Sequence, residues 1–180
     1  SLTKAADALA LTQSAVSRRV QQLEEMLGAT LLDRSSRPPT ATAVGRRVYQ
    51  SATALAHFAR MTRIYRALVP YLKTLSAEAV ATGLPTQRPL ALHYEADRAT
   101  WAIHDQYLYG RELLVAPVHK SGMRHWRAYL PCGETWVHLW SGSVHEGGQV
   151  VEVAAPFGQI PVFYRQGSAW EDLFVSLRAL

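Results

Sequence analysis

Along residues 1–82 the apolar positions recur every three or four residues, and beyond Gly83 they gather in short runs broken by Gly and Pro. The first pattern predicts helices and the second predicts strands. Ser1 caps a helix whose stripe is Leu2, Ala5, Ala6 and Leu9, and Leu11 turns the chain. Thr12 caps a second helix over Gln13–Leu27, with Ala15, Val16, Val20, Leu23 and Leu27 inward and Gly28 as its left-handed end. Residues 30–42 read as an apolar pair, a turn with Arg34 and Arg37, and a return strand. From Thr42 to Gly83 the helical pattern resumes, with a stripe of Leu55, Phe58, Ala59, Thr62, Tyr65, Leu68, Val69, Leu72 and Leu75. Pro70 lacks a backbone donor, so it is expected to kink or divide that helix. Strands follow over residues 88–94, 113–118, 126–130, 135–140, 148–153 and 161–165, with turns at Pro131-Cys132-Gly133, Ser141-Gly142-Ser143 and Gly147-Gly148. That spacing fits an antiparallel β-sandwich. The fold class is α+β.

Composition sharpens this division. Residues 1–82 hold two glycines, three prolines and no tryptophan. Apolar content of 48% and charged content of 18% are those of a globular chain. No apolar run approaches the about 20 residues of a membrane span, and no segment resembles a secretory leader. A cytoplasmic location is expected. The one cysteine, Cys132, excludes an intramolecular disulfide. Of the net charge of +5, residues 1–60 carry +4 (eight Lys/Arg, four Asp/Glu) and residues 61–180 carry +1 (eleven against ten). Basic charge concentrated in a small helical segment points to a polyanion.

Two short helices joined by a tight turn make a helix-turn-helix candidate. On the second helix Gln13, Ser14, Ser17, Arg18 and Gln21 face outward with donors and acceptors suited to base edges and phosphates. Its N-terminus at Thr12 offers backbone donors to a phosphate. Arg34 and Arg37 are placed on a β-wing beside the minor groove. Ala5-Ala6, Leu9, Thr12-Gln13-Ser14-Ala15-Val16-Ser17, Leu23-Glu24, Leu27-Gly28, Leu31, Arg34, Arg37, Thr42 and Gly45 together resemble the winged helix-turn-helix of LysR-type transcriptional regulators, over residues 1–52 without a gap. The resemblance implies double-stranded DNA as partner. It also implies a helix before Ser1 and an effector-binding domain, neither of which is in this sequence.

In that family the wing leads into a long helix that pairs two protomers. Here such a helix begins in character around Ala43, and from about Ala54 the residues belong to something else. The seam falls at residues 51–56. The apolar stripe serves either a homodimer or, as the preferred reading, packing onto the chain's own β portion.

The second resemblance rests on Pro70-Tyr71-Leu72, Gly83-Leu84-Pro85, Arg88-Pro89-Leu90, His93-Tyr94-Glu95, Asp105 to Gly110, Leu113 to Val118, Trp136-Val137-His138, Trp140-Ser141-Gly142 and Ala155 to Arg165. These look like the end of a family 31 glycoside hydrolase, closest to the sulfoquinovosidase-like α-glucosidases. By that resemblance residues 53–98 are the last helix and strand of a (β/α)₈ barrel, and residues 99–180 are the C-terminal β-sandwich. A retaining glycosidase needs a nucleophile and an acid about 5 Å apart. In the family both are aspartates on earlier barrel strands, outside this sequence, so no catalytic residue is expected. Glu95 and Asp97 read as exposed loop carboxylates. The six histidines of residues 93–145 lack compact metal spacing, so neither metal nor cofactor is expected. Trp101, Trp126, Trp136, Trp140 and Trp170 read as core rather than sugar platforms. The expected function is a DNA-binding regulator module bearing an inactive hydrolase portion. The alternatives are an α-glycosidase and the product of two truncated genes fused.

Overall fold

The computed structural model describes residues 7, 10–36 and 38–180. The expected stripe of Leu2, Ala5, Ala6 and Leu9, and the expected contact residue Arg37, lie outside the described residues. The chain divides into two compact units, residues 1–59 and 60–180.

In the first unit α1 spans Gln13–Leu27. The Ala15 amide donates to Thr12 Oγ1 at 3.2 Å, satisfying one of the donors a helix start leaves open. Gly28, at φ 60°, closes the other end in the left-handed conformation that glycine adopts without penalty. A two-residue hairpin follows: β1 (Leu32–Asp33) pairs antiparallel with β2 (Thr40–Ala41), with Leu32 opposite Ala41. Among the described residues of this unit, Val16 and Leu31 are buried apolar side chains.

Helix α2 spans Ala43–Thr82 and is not divided at Pro70. Its buried apolar side chains are Ile64, Tyr71 and Leu75, with Met61, Ala67 and Leu68 packed against the same core. The expected stripe is therefore offset by one position: Leu55, Phe58 and Tyr65 are exposed, while Ile64 and Tyr71 face inward. Tyr71 decides the face, since its hydroxyl donates to Tyr109 O at 2.6 Å.

The second unit carries a six-stranded sheet in the order β3-β4-β5-β10-β7-β8 and a two-stranded sheet β6-β9. The strands are β3 (Gln87–Arg88), β4 (Tyr107–Tyr109), β5 (Leu113–Val115), β6 (His125–Leu130), β7 (Thr135–His138), β8 (Val144–Glu146), β9 (Gln149–Ala154) and β10 (Val162–Arg165). All pairings are antiparallel. Strand alternation feeds two cores. Leu114 and Phe163 point into a cluster with Trp126, Ala128, Leu130, Trp136, Val151 and Val153. Leu113, Val115, Val162 and Tyr164 point the other way, against α2 and a short C-terminal helix α3 (Glu171–Ser176). Strand β5 is thus buried on both faces, which is why its sequence is continuously apolar.

The strand expected over residues 88–94 is limited to Gln87–Arg88, and residues 90–92 form a 3₁₀ turn. Pro89, without a donor, cannot continue the ladder. This strand pairs antiparallel with β4 in the sandwich-like sheet. Gln106, buried, brackets the main chain of Tyr129: its amide donates to Tyr129 O at 3.0 Å and accepts from Tyr129 N at 2.8 Å, as a neighbouring strand would. No described helix is long and apolar enough to cross a membrane.

Candidate nucleic-acid interface

Helix α1 presents Ser14, Ser17, Arg18 and Gln21 at positions i, i+3, i+4 and i+7, hence on one face. Thr12, Gln13, Ser14, Arg18 and Gln21 are exposed and Ser17 is half-buried. Thr12 Oγ1 lies 3.0 Å from Ser14 Oγ, and Gln21 Nε2 donates to Glu25 at 3.4 Å. Arg34 sits just after β1, where Asp33 accepts from the Ser35 amide and hydroxyl at 2.9 and 2.6 Å to shape the turn. Gln21 and Arg34 line one open cleft of about 670 Å³, together with Glu24, Thr30 and Asp33. The structure thus brings Gln21 and Arg34 together at the C-terminal half of α1, while Thr12, Gln13, Ser14, Ser17 and Arg18 lie toward its other end.

Glu24 was not among the sequence candidates. Its Oε1 accepts from the amides of Leu31 at 2.7 Å and Leu32 at 3.0 Å, and its Oε2 lies 3.2 Å from Arg34 Nη2. Those hydrogen bonds, from Leu32 and then Leu31, hold its carboxyl below the ordinary value despite an opposing desolvation, with the Arg34 charge assisting. Nothing in the spacing announces this, because the partners arrive only when the hairpin folds back.

In the second unit Asp97 corrects the expectation of an exposed loop carboxylate. It is buried and accepts from Tyr129 Oη at 2.8 Å, Cys132 N at 2.9 Å and Ala99 N at 3.2 Å. Burial opposes its ionisation, but the bonds from Cys132, Tyr129 and Ala99 outweigh it and keep the carboxyl below its usual range. A carboxylate with that many donors is a structural anchor. Glu95 and Asp105 are exposed. Trp126 and Trp136 are buried in the first core and Trp140 and Trp170 pack against the second, while Trp101 is exposed under the Arg98 guanidinium. Among the described residues no three His, Cys, Asp or Glu side chains group as a metal site.

His138 is the most perturbed histidine of this unit. Burial, and then the charges of His145 and Arg178, push its pKa down to about 4. Its Nδ1 meets Ser141 Oγ at 2.8 Å, and Ser141 and Ser143 continue to His145. The unfolded chain therefore takes up a proton first. This contribution to stability is complete above about pH 6.5 and is lost as pH falls toward 4. Thermal unfolding between those values is expected to show a loss on the order of 2 kcal/mol. His138→Asn should flatten that dependence, and an unchanged profile would refute the assignment.

The first unit carries a capped helix beside a β-hairpin, and the second unit is an antiparallel, sandwich-like module. Residues 1–46 match the family described as "Bacterial regulatory helix-turn-helix protein, lysR family". Residues 83–169 match "Glycosyl hydrolase family 31 C-terminal domain". The chain therefore carries a LysR-type helix-turn-helix region and a family 31 glycoside hydrolase C-terminal domain. Similar proteins include a sulfoquinovosidase of Agrobacterium fabrum, 56% identical over 73% of this chain and 20% of that protein. A sulfoquinovosidase of Escherichia coli is 50% identical over 72% of this chain and 19% of its own length. Among solved structures, a family 31 sulfoquinovosidase from E. rectale superposes with a TM-score of 0.69 at 40% identity, over 73% of this chain and 19% of that one. The chain spans about a fifth of the length of the relatives it matches.

Proposed function

We propose that this chain binds double-stranded DNA through its first unit, as a transcription-regulator module. Helix α1 enters the major groove, and Thr12, Gln13, Ser14, Ser17, Arg18 and Gln21 make the contacts. The β1–β2 hairpin acts as a wing that brings Arg34 to the backbone, with Arg37 in the same role by sequence position. The observation that carries this reading is the polar Ser14–Ser17–Arg18–Gln21 face on a capped helix, with Ser14, Arg18 and Gln21 exposed and Ser17 half-buried. The test is titration of a labelled duplex with the full chain at several salt concentrations. Affinity should fall with salt, by a slope of about 0.9 per phosphate neutralised. Arg18→Ala should weaken binding by roughly 1–3 kcal/mol. No binding at low salt would remove the reading. A second copy pairing through the part of α2 after residue 43 is consistent with exposed Tyr49, Leu55 and Phe58; sedimentation of the chain at rising concentration tests it.

A second reading, α-glycosidase activity on sulfoquinovosides or glucosides, is favoured by identity to the sulfoquinovosidases. Against it stands the commitment of Asp97 to structural bonds with Tyr129 and Cys132. Purified chain should leave a nitrophenyl α-glycoside intact, and turnover would reverse the choice. The joining of a regulator to a sugar-catabolic hydrolase is read here as a fusion of two neighbouring genes with a seam at residues 51–56. By descent, residues 53–98 come from the end of a barrel and residues 99–180 from its sandwich domain. Intact copies of both genes flanking one site in related strains would support that origin.

A further inference from the structure

We propose that Glu24 is a positioning residue for DNA contact, tying the end of α1 to β1 and aiming the Arg34 guanidinium so that helix and hairpin present one surface. This rests on the DNA-binding reading above.

One carboxylate serves three groups. Its Oε1 takes the amides of Leu31 and Leu32, which open the hairpin, and its Oε2 holds Arg34 Nη2. The Glu24 side chain is 14% exposed whereas that of Arg34 is 49% exposed. The anchor is therefore sheltered and the anchored group still faces solvent. Arg34 has a fork of five N–H donors, and the end turned to Glu24 fixes the plane in which the others point. Gln21, three residues before Glu24 on the same helix, lines the same cleft as Arg34. An arginine on a turn gives up rotamer freedom when it binds. Holding it beforehand removes part of that cost.

The sign of the effect separates this role from simple electrostatics. Glu24 carries negative charge near a surface meant for a polyanion, so on charge alone its neutralisation should tighten binding. Positioning predicts the opposite. Glu24→Gln keeps an oxygen that can accept from Leu31 and Leu32, so the hairpin stays anchored while the ion pair is lost.

The experiment uses the full chain and a fluorescently labelled mixed-sequence duplex, with anisotropy read at several salt concentrations and thermal unfolding run beside it. Glu24→Gln should weaken binding about three- to tenfold and reduce the salt slope by up to about 0.9. Arg34→Gln, which leaves both backbone bonds in place, should do the same. The double variant should bind no more weakly than Arg34→Gln alone, because the two residues act through one contact. Unchanged or tighter binding by Glu24→Gln, an Arg34→Gln chain that binds as the wild type does, or additive losses in the double variant would each overturn the proposal while leaving DNA binding standing. A wild-type chain that fails to bind at low salt removes both.

Discussion

Replacing Arg88 by alanine is expected to destabilise the second unit by about 2–4 kcal/mol, a large share of a typical domain's margin. The Arg88 side chain is 0% exposed and meets three acceptors: Glu78 Oε2 at 2.6 Å, Pro85 O at 2.7 Å and His93 Nε2 at 3.0 Å. It thereby fastens α2, the loop that follows it and the turn after β3. Truncation removes the donor from Pro85 O and from the half-buried His93 Nε2, and it opens a cavity where the buried guanidinium lay. His93 fits the acceptor role, since burial and the neighbouring Arg88 charge lower its pKa and favour the neutral ring. Glu78→Gln should cost clearly less, because the Glu78 side chain is 38% exposed and water can replace its partner. Arg88→Lys should recover little, as one ammonium cannot reproduce a fork that reaches three acceptors. Urea unfolding followed by near-ultraviolet circular dichroism of the buried tryptophans measures all three. A loss below about 1 kcal/mol for Arg88→Ala would contradict the argument.

Features set by neighbouring residues were legible in the sequence, and features set by distant partners were not. The start and end of α1 follow from Thr12 and Gly28, whose capping is local. The longer strands β6, β7, β9 and β10 fall within a residue or two of their expected bounds, because each alternates or is bounded by Gly or Pro. Strands β4 and β8 are three residues long and carry no period, whereas the equally short β5 is marked by its continuous apolar run. Helix α3, six residues long, went unseen for the same reason. The inward face of α2 was ambiguous because residues 64, 68, 71 and 75 and residues 65, 68, 72 and 75 both satisfy helical spacing. Contact with Tyr109, distant in sequence, selects the first. Asp97 follows the same rule, since its donors Tyr129 and Cys132 lie 32 and 35 residues away. At the candidate interface, the polar face of α1 was readable from helical geometry. The Glu24 clamp was hidden until the hairpin supplied its two amides.

The first unit is expected to fail, with the second unaffected, when Gly45 is replaced by alanine. Gly45 does not adopt a positive φ, so the requirement is space rather than backbone freedom. A Cβ there would run into the Leu31 carbonyl oxygen and lie 2.9 Å from the carbonyl carbon, both main-chain atoms. That carbonyl cannot swing aside cheaply, because it accepts from the Thr42 amide at 2.9 Å and the Thr42 hydroxyl at 3.2 Å. Thr42 Oγ1 in turn accepts from the Gly45 amide at 3.0 Å, so the first turn of α2 and the residue before β1 are locked at their closest approach. Alanine is a better helix former than glycine by about 1 kcal/mol, which argues for stabilisation. Forced separation of packed main chain costs about 1–3 kcal/mol, and a contact this close to a held carbonyl sits at the upper end, which decides the sign. A unit of 59 residues has a margin of only roughly 3–9 kcal/mol. All five tryptophans lie between residues 101 and 170, so their fluorescence reports the second unit alone. For Gly45→Ala the tryptophan transition should stay in place, far-ultraviolet dichroism should lose helix at a lower temperature, and affinity for the labelled duplex should drop at least about tenfold. A variant with unchanged helix melting and full DNA affinity would mean that the Leu31 carbonyl yields, and that the contact between α2 and the hairpin is not what holds the unit together.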